Sequence, residues 1–292
     1  MADSNIPAVD LSPFFREGDH EDGKKKAREV ISQACSQYGF FQIQNHGVPL
    51  ELLIRALELS KTFFEYSDDE KRKSSPGSGV QIPAGVEDVF SHLTKLGSLI
   101  ENIINECLGL PPNFLKEFNH DRSWDLMSAK RYFPTTESEN NGISEHEDGN
   151  CVTIVLQDQV GGLQVKKNGE WIPVTSAQDT LVVNLGDVIQ VLSNNKFKSA
   201  THKVVRQQGK SRYSYAFFYN LQGDKWVEPL SKFTEEIGEV PKYRGFLYKD
   251  YQALRIRNKT HPPDKPEDVI HITMQSLPRL QKMPIINNGC SA

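Results

Sequence analysis

Seven short apolar runs, separated by turn residues, lie between residues 151 and 219, and this feature constrains the fold most. Runs of this length are typical of strands and are shorter than most helices. Asn168-Gly169 joins two of the runs and favours a two-residue β-hairpin turn. Many short strands with regular turns predict a sandwich, jelly roll or barrel. The predicted strands are residues 151–156, 163–167, 170–174, 180–184, 188–192, 202–206 and 212–219.

The first half of the chain has a different pattern, with apolar residues spaced as on one face of a helix. This predicts helices over residues 27–39, 52–59 and 89–107, a capping box at 67–70 that opens a further helix, a strand at 40–44, and a last helix around 243–257. We therefore expect a mostly helical N-terminal region over residues 1–120, a mainly β core with its C-terminal helix over 121–273, and an atypical tail over 274–292.

Charge and cysteine usage exclude several classes of protein. The net charge is −4 and no basic cluster suggests a nucleic-acid partner. The four cysteines are far apart and form no CxxC pair, so reduced thiols in the cytoplasm are the default. We see no signal peptide and no apolar run of membrane-spanning length, and we take a monomer as the default.

The tetrapeptide HEDG occurs twice, at residues 20–23 and 146–149, and each copy offers a histidine and an aspartate two residues apart. The first copy lies in an exposed charged run ahead of a helix, so His20 is expected in a solvated loop, because a metal needs rigid ligands. A strand signal begins directly after the second copy. Residues i and i+2 of a strand point the same way, so His146 and Asp148 would face one centre.

A third metal ligand and an anion receptor follow the second copy. His202 opens a predicted strand 54 residues after Asp148 (202 − 148), and such residues can meet at one mouth of a β-barrel. Two histidines and one carboxylate form the facial triad that leaves coordination positions of Fe(II) open. Arg212 and Ser214 share one face of the last predicted strand. A guanidinium beside a hydroxyl suits a carboxylate.

This order of motifs resembles the plant-type 2-oxoglutarate- and Fe(II)-dependent dioxygenases of flavonoid, hormone and alkaloid metabolism. The resemblance covers nearly the whole chain, including GFFQIQNHGV at residues 39–48, GGLQV at 161–165 and NLGD at 184–187. It implies a double-stranded β-helix, or jelly roll, with flanking helices. It also implies iron on His146, Asp148 and His202, and O2 as a further substrate.

Further site residues follow from the resemblance. Arg212 and Ser214 would bind the distal carboxylate of 2-oxoglutarate, and Phe218 and Asn220 match positions that line the substrate pocket. The family often has Asn-Tyr-Tyr-Pro before the HxD motif, whereas this chain has KRYFP at residues 130–134. Arg131 and Phe133 would replace groups that help to bind 2-oxoglutarate there. Tyr132 is then the remaining candidate of this stretch.

Two further departures concern the length of the chain. The resemblance implies a segment of several tens of residues, with strands that wall the substrate pocket, between Gly85 and Val86, and this chain lacks it. The last residues, 274–292, are low in charge and do not resemble the family's C-terminus.

The predicted function is hydroxylation or desaturation of a small specialised metabolite or hormone, coupled to conversion of 2-oxoglutarate into succinate, with ascorbate as reductant. Two alternatives stay open. One is a non-catalytic truncated isoform that keeps the metal site, and the other is an ascorbate-using oxidase of the same family, such as the oxidase that makes ethylene.

Overall fold

The computed structural model describes residues 6–18, 20–73, 85–136, 140–175, 177 and 179–261. Seven helices and twelve strands lie within this part of the chain. The helices are α1 (Glu21–Gln37), α2 (Leu50–Glu65), α3 (Asp68–Lys73), α4 (Val86–Cys107), α5 (Phe114–Phe118), α6 (Asp187–Leu192) and α7 (Tyr248–Thr260). The strands are β1 (Ala8–Asp10), β2 (Phe40–Gln44), β3 (Leu126–Tyr132), β4 (Asn141–His146), β5 (Val152–Gln157), β6 (Leu163–Lys167), β7 (Glu170–Pro173), β8 (Leu181–Leu185), β9 (His202–Val205), β10 (Arg212–Tyr219), β11 (Trp226–Val227) and β12 (Phe246–Leu247).

The strands form two main sheets. One has six strands in the order β1-β2-β8-β5-β10-β3, and the other has four in the order β4-β9-β6-β7. The pair β1–β2 is parallel and the remaining pairs of these sheets are antiparallel. A small apolar cluster contains residues of both sheets, among them Phe40, Val182 and Val204, so the sheets pack face to face. This is the predicted jelly roll with flanking helices.

Alternation along the strands of the large sheet separates its two faces. In β10 the residues Tyr215, Phe217 and Tyr219 join the main apolar core, which also contains residues of helices α1, α2 and α4. The intervening residues, from Arg212 and Ser214 onward, point to the other face, because successive side chains of a strand alternate. The large sheet therefore has one apolar face under the helices and one inner face that carries polar groups.

Several predicted elements are confirmed. The hairpin at Asn168-Gly169 joins β6 to β7, with positive φ angles of 52° and 85° as a type I′ turn requires. The capping box is also present: the Ser67 backbone N–H donates to Glu70 Oε2 at 2.9 Å, and the Glu70 backbone N–H donates to Ser67 Oγ at 3.3 Å.

The strand predicted over residues 188–192 is wrong, because this segment is the helix α6. It is buried almost all round, so its apolar run has no polar face that would reveal a helical period. Two asparagines with positive φ, Asn194 and Asn195, then turn the chain. The last helix begins at Tyr248, later than predicted, because β12 occupies residues 246–247.

Residues 74–84, which directly precede the predicted junction at Gly85, and the tail over residues 274–292 lie outside the described residues. Within the described part of the chain, no helix has the length and apolar character needed to cross a membrane.

Candidate metal centre and anion site

Strand pairing brings the two candidate histidine ligands together. His146 is the last residue of β4 and His202 is the first residue of β9, and the two are direct partners in the antiparallel register. Asp148 does not lie on a strand, because β5 begins at Val152. The expectation that His146 and Asp148 lie on one strand is therefore wrong, and the loop after β4 carries the carboxylate to the histidines.

The three side chains converge on one point. Asp148 Oδ1 lies 3.7 Å from His146 Nε2 and 3.9 Å from His202 Nε2. The three ligand atoms all lie within 4.8 Å of one another, and no other such group of three occurs among the described residues. Two imidazoles from a sheet edge and one carboxylate from the adjoining loop can hold an Fe(II) ion and leave coordination positions open.

Backbone carbonyls fix which nitrogen of each histidine faces the centre. His146 Nδ1 lies 2.8 Å from the Ser144 carbonyl oxygen, and His202 Nδ1 lies 3.0 Å from that of Ala200. A carbonyl oxygen only accepts, so each Nδ1–H must donate, which leaves the Nε2 lone pairs facing Asp148.

The two oxygens of the Asp148 carboxylate also have separate roles. Its Oδ2 accepts hydrogen bonds from Thr153 Oγ1 at 2.6 Å and from Asn184 Nδ2 at 2.8 Å. These donors fix the carboxylate and leave Oδ1 directed at the histidines. The arrangement is typical of a metal-ligating aspartate, whose second oxygen is held by the protein.

The electrostatics favour the protonation states that bind a metal. Burial lowers the pKa of His146, and the neighbouring His202 lowers it further. Burial alone would raise the pKa of Asp148, but His202, Thr153 and Asn184 hold this pKa below its usual value. The lowered pKa of His146 favours its neutral imidazole and the lowered pKa of Asp148 favours its charged carboxylate, which are the forms that bind a metal.

Helix α7 holds the loop that carries Asp148. Arg255 Nη2 donates to the Glu147 carbonyl oxygen and Nη1 donates to Asp187 Oδ2 at 2.8 Å, while Gln252 Nε2 donates to the Gly149 carbonyl oxygen at 2.9 Å. A Cβ atom at Gly149 would lie 2.5 Å from Arg255 Nε, so a larger residue there would displace the Arg255 side chain from these hydrogen bonds.

Arg212 and Ser214 lie together on the inner face of β10, as predicted. Arg212 is 2% exposed, and its Nη1 donates to Ser214 Oγ at 3.0 Å while Nη2 donates to Gln157 Oε1 at 2.8 Å. Its Nε has no hydrogen-bond partner. No carboxylate of the described residues lies within ion-pair distance of Arg212, and Asp158 attracts this buried cation only through space. Such a group fits an anionic ligand such as the distal carboxylate of 2-oxoglutarate.

The stretch before the HxD motif has a different orientation from the expected one. Tyr132 is paired with Arg212 and Lys130 with Ser214 across the β3–β10 register, and both side chains line the cavity. Arg131 instead donates to the Phe64 carbonyl oxygen, and Phe133 is 58% exposed. Arg131 and Phe133 therefore do not take the place of groups that bind 2-oxoglutarate.

One cavity between the sheets unites most of the predicted site. It is lined by the three candidate ligands, by Arg212, Ser214 and Tyr132, and by Phe218. Asn220 does not line it: its Nδ2 donates to the Trp124 carbonyl oxygen at 2.6 Å, and its Oδ1 accepts from Tyr248 Oη at 2.9 Å. The alternation that places Phe218 inside ends with β10 at Tyr219, which is why Asn220 departs from it.

The sequence contains a signal for three polar residues that were not among the predicted site residues. Thr153, Gln157 and Asn184 are buried and lie on otherwise apolar strands. A buried polar residue needs a hydrogen-bond partner, so its place on an apolar strand indicates a polar network on that face. Here the network holds Asp148 and Arg212.

Two family models match the chain. The 2OG-Fe(II) oxygenase superfamily matches residues 124–221, and the N-terminal region of the non-haem dioxygenases in morphine synthesis matches residues 6–98. The first match contains all of the candidate ligands and the anion site.

Curated plant proteins are similar over most of their length. The chain is 32% identical to 1-aminocyclopropane-1-carboxylate oxidase 5 of Arabidopsis thaliana, over 89% of this chain and 96% of that protein. It is 31% identical to flavonol synthase/flavanone 3-hydroxylase of Matthiola incana, over 86% of this chain and 97% of that protein. The chain belongs to the plant-type 2-oxoglutarate- and Fe(II)-dependent dioxygenases.

Solved structures agree with this membership. JOX2, crystallised with 2OG, Fe and JA, has a TM-score of 0.77 and 27% identity, covering 91% of this chain and 88% of that one. The rice dioxygenase for auxin oxidation has a TM-score of 0.72 and 26% identity, covering 87% and 96%. The protein is thus a 2-oxoglutarate-dependent dioxygenase with a double-stranded β-helix fold, and Fe(II) and 2-oxoglutarate are its cofactor and cosubstrate.

The alignment with the Arabidopsis oxidase also indicates a shortened chain. It extends over 302 positions but includes 89% of the 292 residues here, about 260 (0.89 × 292). About 42 positions of the alignment (302 − 260) are therefore occupied in the Arabidopsis oxidase and are gaps in this chain. This agrees with a missing internal segment, and its location between Gly85 and Val86 remains a prediction.

Proposed function

We propose that this dioxygenase hydroxylates or desaturates a small specialised metabolite or hormone and converts 2-oxoglutarate into succinate and CO2. One observation carries the proposal: an open group of three metal ligands and a buried, unpaired guanidinium face the same apolar cavity.

In this proposal His146, Asp148 and His202 hold the iron, with Ser144, Ala200, Thr153 and Asn184 fixing their orientation. Iron bound there with 2-oxoglutarate supplies the means to activate O2 for oxidation of a substrate C–H bond. The protein contributes rigid ligands from a sheet edge, since a loosely held site would misplace the reacting atoms.

Arg212 and Ser214 bind the distal carboxylate of 2-oxoglutarate. The Arg212 guanidinium and the Ser214 hydroxyl lie 3.0 Å apart and can donate to the same anion. Tyr132 completes this receptor from the neighbouring strand, where its ring lies 4.8 Å from the Arg212 guanidinium carbon. Burial raises the pKa of Tyr132, so its hydroxyl stays a hydrogen-bond donor near neutral pH.

The substrate occupies the apolar part of the cavity, where Phe218 lies with Phe40, Val155 and Leu163. A mainly apolar wall with few polar groups is typical of pockets for small organic molecules. The relatives named for flavonol synthesis and auxin oxidation support this substrate class.

The test uses purified protein with Fe(II), ascorbate, O2 and 2-oxoglutarate, and measures succinate with a panel of plant phenolic and hormone substrates. We expect succinate formation that depends on 2-oxoglutarate and rises with the correct substrate. The same assay on Asp148→Ala provides the metal-free control. Absence of 2-oxoglutarate-dependent succinate with every substrate would reject catalysis by this chain.

Two alternatives each have a distinguishing result. The gaps in this chain relative to the Arabidopsis oxidase favour a non-catalytic isoform. Such an isoform would bind Fe(II) and 2-oxoglutarate without forming succinate. The similarity to 1-aminocyclopropane-1-carboxylate oxidase 5 favours an ascorbate-using oxidase, whose turnover would persist without 2-oxoglutarate.

The predicted monomeric state and cytoplasmic location are part of the same proposal. Three of the cysteines, Cys35, Cys107 and Cys151, are free thiols, which fits a reducing compartment. Size-exclusion chromatography with light scattering and fractionation of the source cells would test the two points separately.

A further inference from the structure

Lys130 places a second cation in the cavity beside Arg212. It lies on β3, paired with Ser214 of β10, and its side chain lines the same cavity as the candidate iron ligands. The charged residues in the cavity lining are Lys130, Arg212 and Asp148. Lys130 is the first residue of the KRYFP stretch, and the strand register directs its side chain to the cavity.

The Lys130 ammonium has no carboxylate partner of its own. Its Nζ donates one hydrogen bond to Ser128 Oγ at 3.3 Å, and the ion pairs among the described residues do not include it. Asp148 attracts it only through space, and both oxygens of that carboxylate face other groups. Burial lowers the pKa of Lys130, which is the cost that an anionic partner would offset.

The balance of charge shows which ligand is still missing, on the basis of the proposed function. Lys130 and Arg212 contribute two positive charges and Asp148 contributes one negative charge. Fe(II) adds two positive charges and 2-oxoglutarate removes two. One positive charge then remains among the groups that line the cavity, and a buried charge without a partner is costly.

We propose that Lys130 determines specificity by binding the carboxylate of a monoanionic substrate whose apolar body contacts Phe218 and the neighbouring apolar wall. A single carboxylate would neutralise the loaded site, and the ammonium would supply a charge-assisted hydrogen bond. Neutral molecules of the same shape would leave the cation unpaired and bind more weakly.

A second role for the same ammonium has to be separated from this one. Lys130 is paired with Ser214, so its charge could instead serve 2-oxoglutarate. The two roles predict different losses. A substrate-binding lysine affects the affinity for acids and spares 2-oxoglutarate, whereas a cosubstrate-binding lysine does the reverse.

The experiment is isothermal titration calorimetry under nitrogen on the full chain loaded with Fe(II). The first titration uses 2-oxoglutarate. The second uses two probes of equal shape on the 2-oxoglutarate complex, trans-cinnamate and its neutral amide, trans-cinnamamide. The variants are Lys130→Met, which removes the charge, and Lys130→Arg, which keeps it. Lys203→Met is the matched control, because Lys203 lies over the outer Trp171 ring at 4.0 Å and does not line the cavity.

Wild type, Lys130→Arg and Lys203→Met are expected to bind cinnamate about tenfold to a hundredfold more tightly than cinnamamide, the range of a hydrogen bond to a charged group. Lys130→Met is expected to lose this preference and to bind 2-oxoglutarate normally. Equal binding of the two probes by wild type, or no binding of either, would overturn the inference. So would loss of 2-oxoglutarate affinity in Lys130→Met. Failure of wild type to bind 2-oxoglutarate would reject the proposed function itself.

Discussion

Replacement of Arg212 by methionine should separate ligand binding from stability. The guanidinium is 2% exposed and makes two hydrogen bonds, to Ser214 and Gln157, while its Nε is unpaired. Methionine fills a similar volume without charge. We therefore expect Arg212→Met to abolish 2-oxoglutarate binding and to leave the folded chain largely intact.

The expected change in unfolding free energy of the ligand-free protein is small because two effects oppose each other. Loss of the hydrogen bonds costs about 1 kcal/mol each, and the unpaired Gln157 oxygen costs about 1–3 kcal/mol more. The substitution also removes a buried cation that has no ion-pair partner. This relieves a desolvation penalty of several kcal/mol and stabilises the folded state. The net change should lie within about 2 kcal/mol of zero, in contrast to about 3–5 kcal/mol for breaking a paired buried ion.

Ligand-dependent stability gives the decisive signal. At 2-oxoglutarate concentrations 100 times the dissociation constant, binding stabilises the wild type by about 2.7 kcal/mol. Thermal unfolding of Fe(II)-loaded protein under nitrogen, with and without 2-oxoglutarate, measures this term. Arg212→Met should show no shift, and Arg72→Met should keep it, because the Arg72 side chain is 73% exposed and forms a surface ion pair with Asp69. The reasoning is refuted if Arg212→Met retains the shift, or if the ligand-free variant loses 4 kcal/mol or more.

Three further perturbations test the rest of the structure. His146→Ala should abolish or severely weaken Fe(II) binding and His20→Ala should leave it intact, and equal loss in both by anaerobic metal titration would contradict the assignment. Arg255→Ala should weaken Fe(II) affinity about 10- to 100-fold, because Arg255 holds the loop that carries Asp148, and the circular dichroism spectrum should not change. An unchanged Fe(II) affinity would show that Arg255 does not position the metal ligand. Burial raises the pKa of Glu101 from 4.5 to about 7, so the folded state holds its proton more tightly and stability falls as pH rises from about 4.5 to 7. Glu101→Gln should therefore match the wild type near pH 4 and exceed it near pH 8 by up to about 3 kcal/mol in urea unfolding, and parallel pH profiles would refute this.

Much of the β core could be predicted because its signals are local. Alternating side chains, a two-residue turn at Asn168-Gly169 and short run lengths are properties of neighbouring residues. Helix α6 could not be predicted in this way. Its five apolar and amide residues after Asp187 are buried on nearly every side, so the period of the segment is set by its surroundings rather than by its own pattern.

The site was predictable as a set of residue types and less so as an arrangement. His146, Asp148, His202, Arg212 and Ser214 are the candidate site residues, and their spacing and the family resemblance predict them. The contacts that orient them come from distant positions: Asn184 lies 36 residues from Asp148, and the bond from Arg255 to Glu147 spans 108 residues. Such pairings depend on strand order and helix docking, which no local pattern encodes.

The two HEDG copies show how surroundings decide the chemistry of identical residues. At the first copy the His20 Nε2 bonds to the Glu17 carbonyl oxygen at 3.0 Å, and Asp22 lies in the first turn of α1, where the helix dipole stabilises a negative charge. At the second copy the carbonyl of Ser144 binds Nδ1 of His146 instead, which leaves Nε2 directed at Asp148. At the start of α1, His20 and Asp22 therefore make unrelated contacts. At the end of β4, beside β9, His146 and Asp148 face one centre. Metal affinity should therefore follow the strand pairing and not the tetrapeptide: disruption of the β4–β9 register should remove iron binding even with both HEDG sequences unchanged.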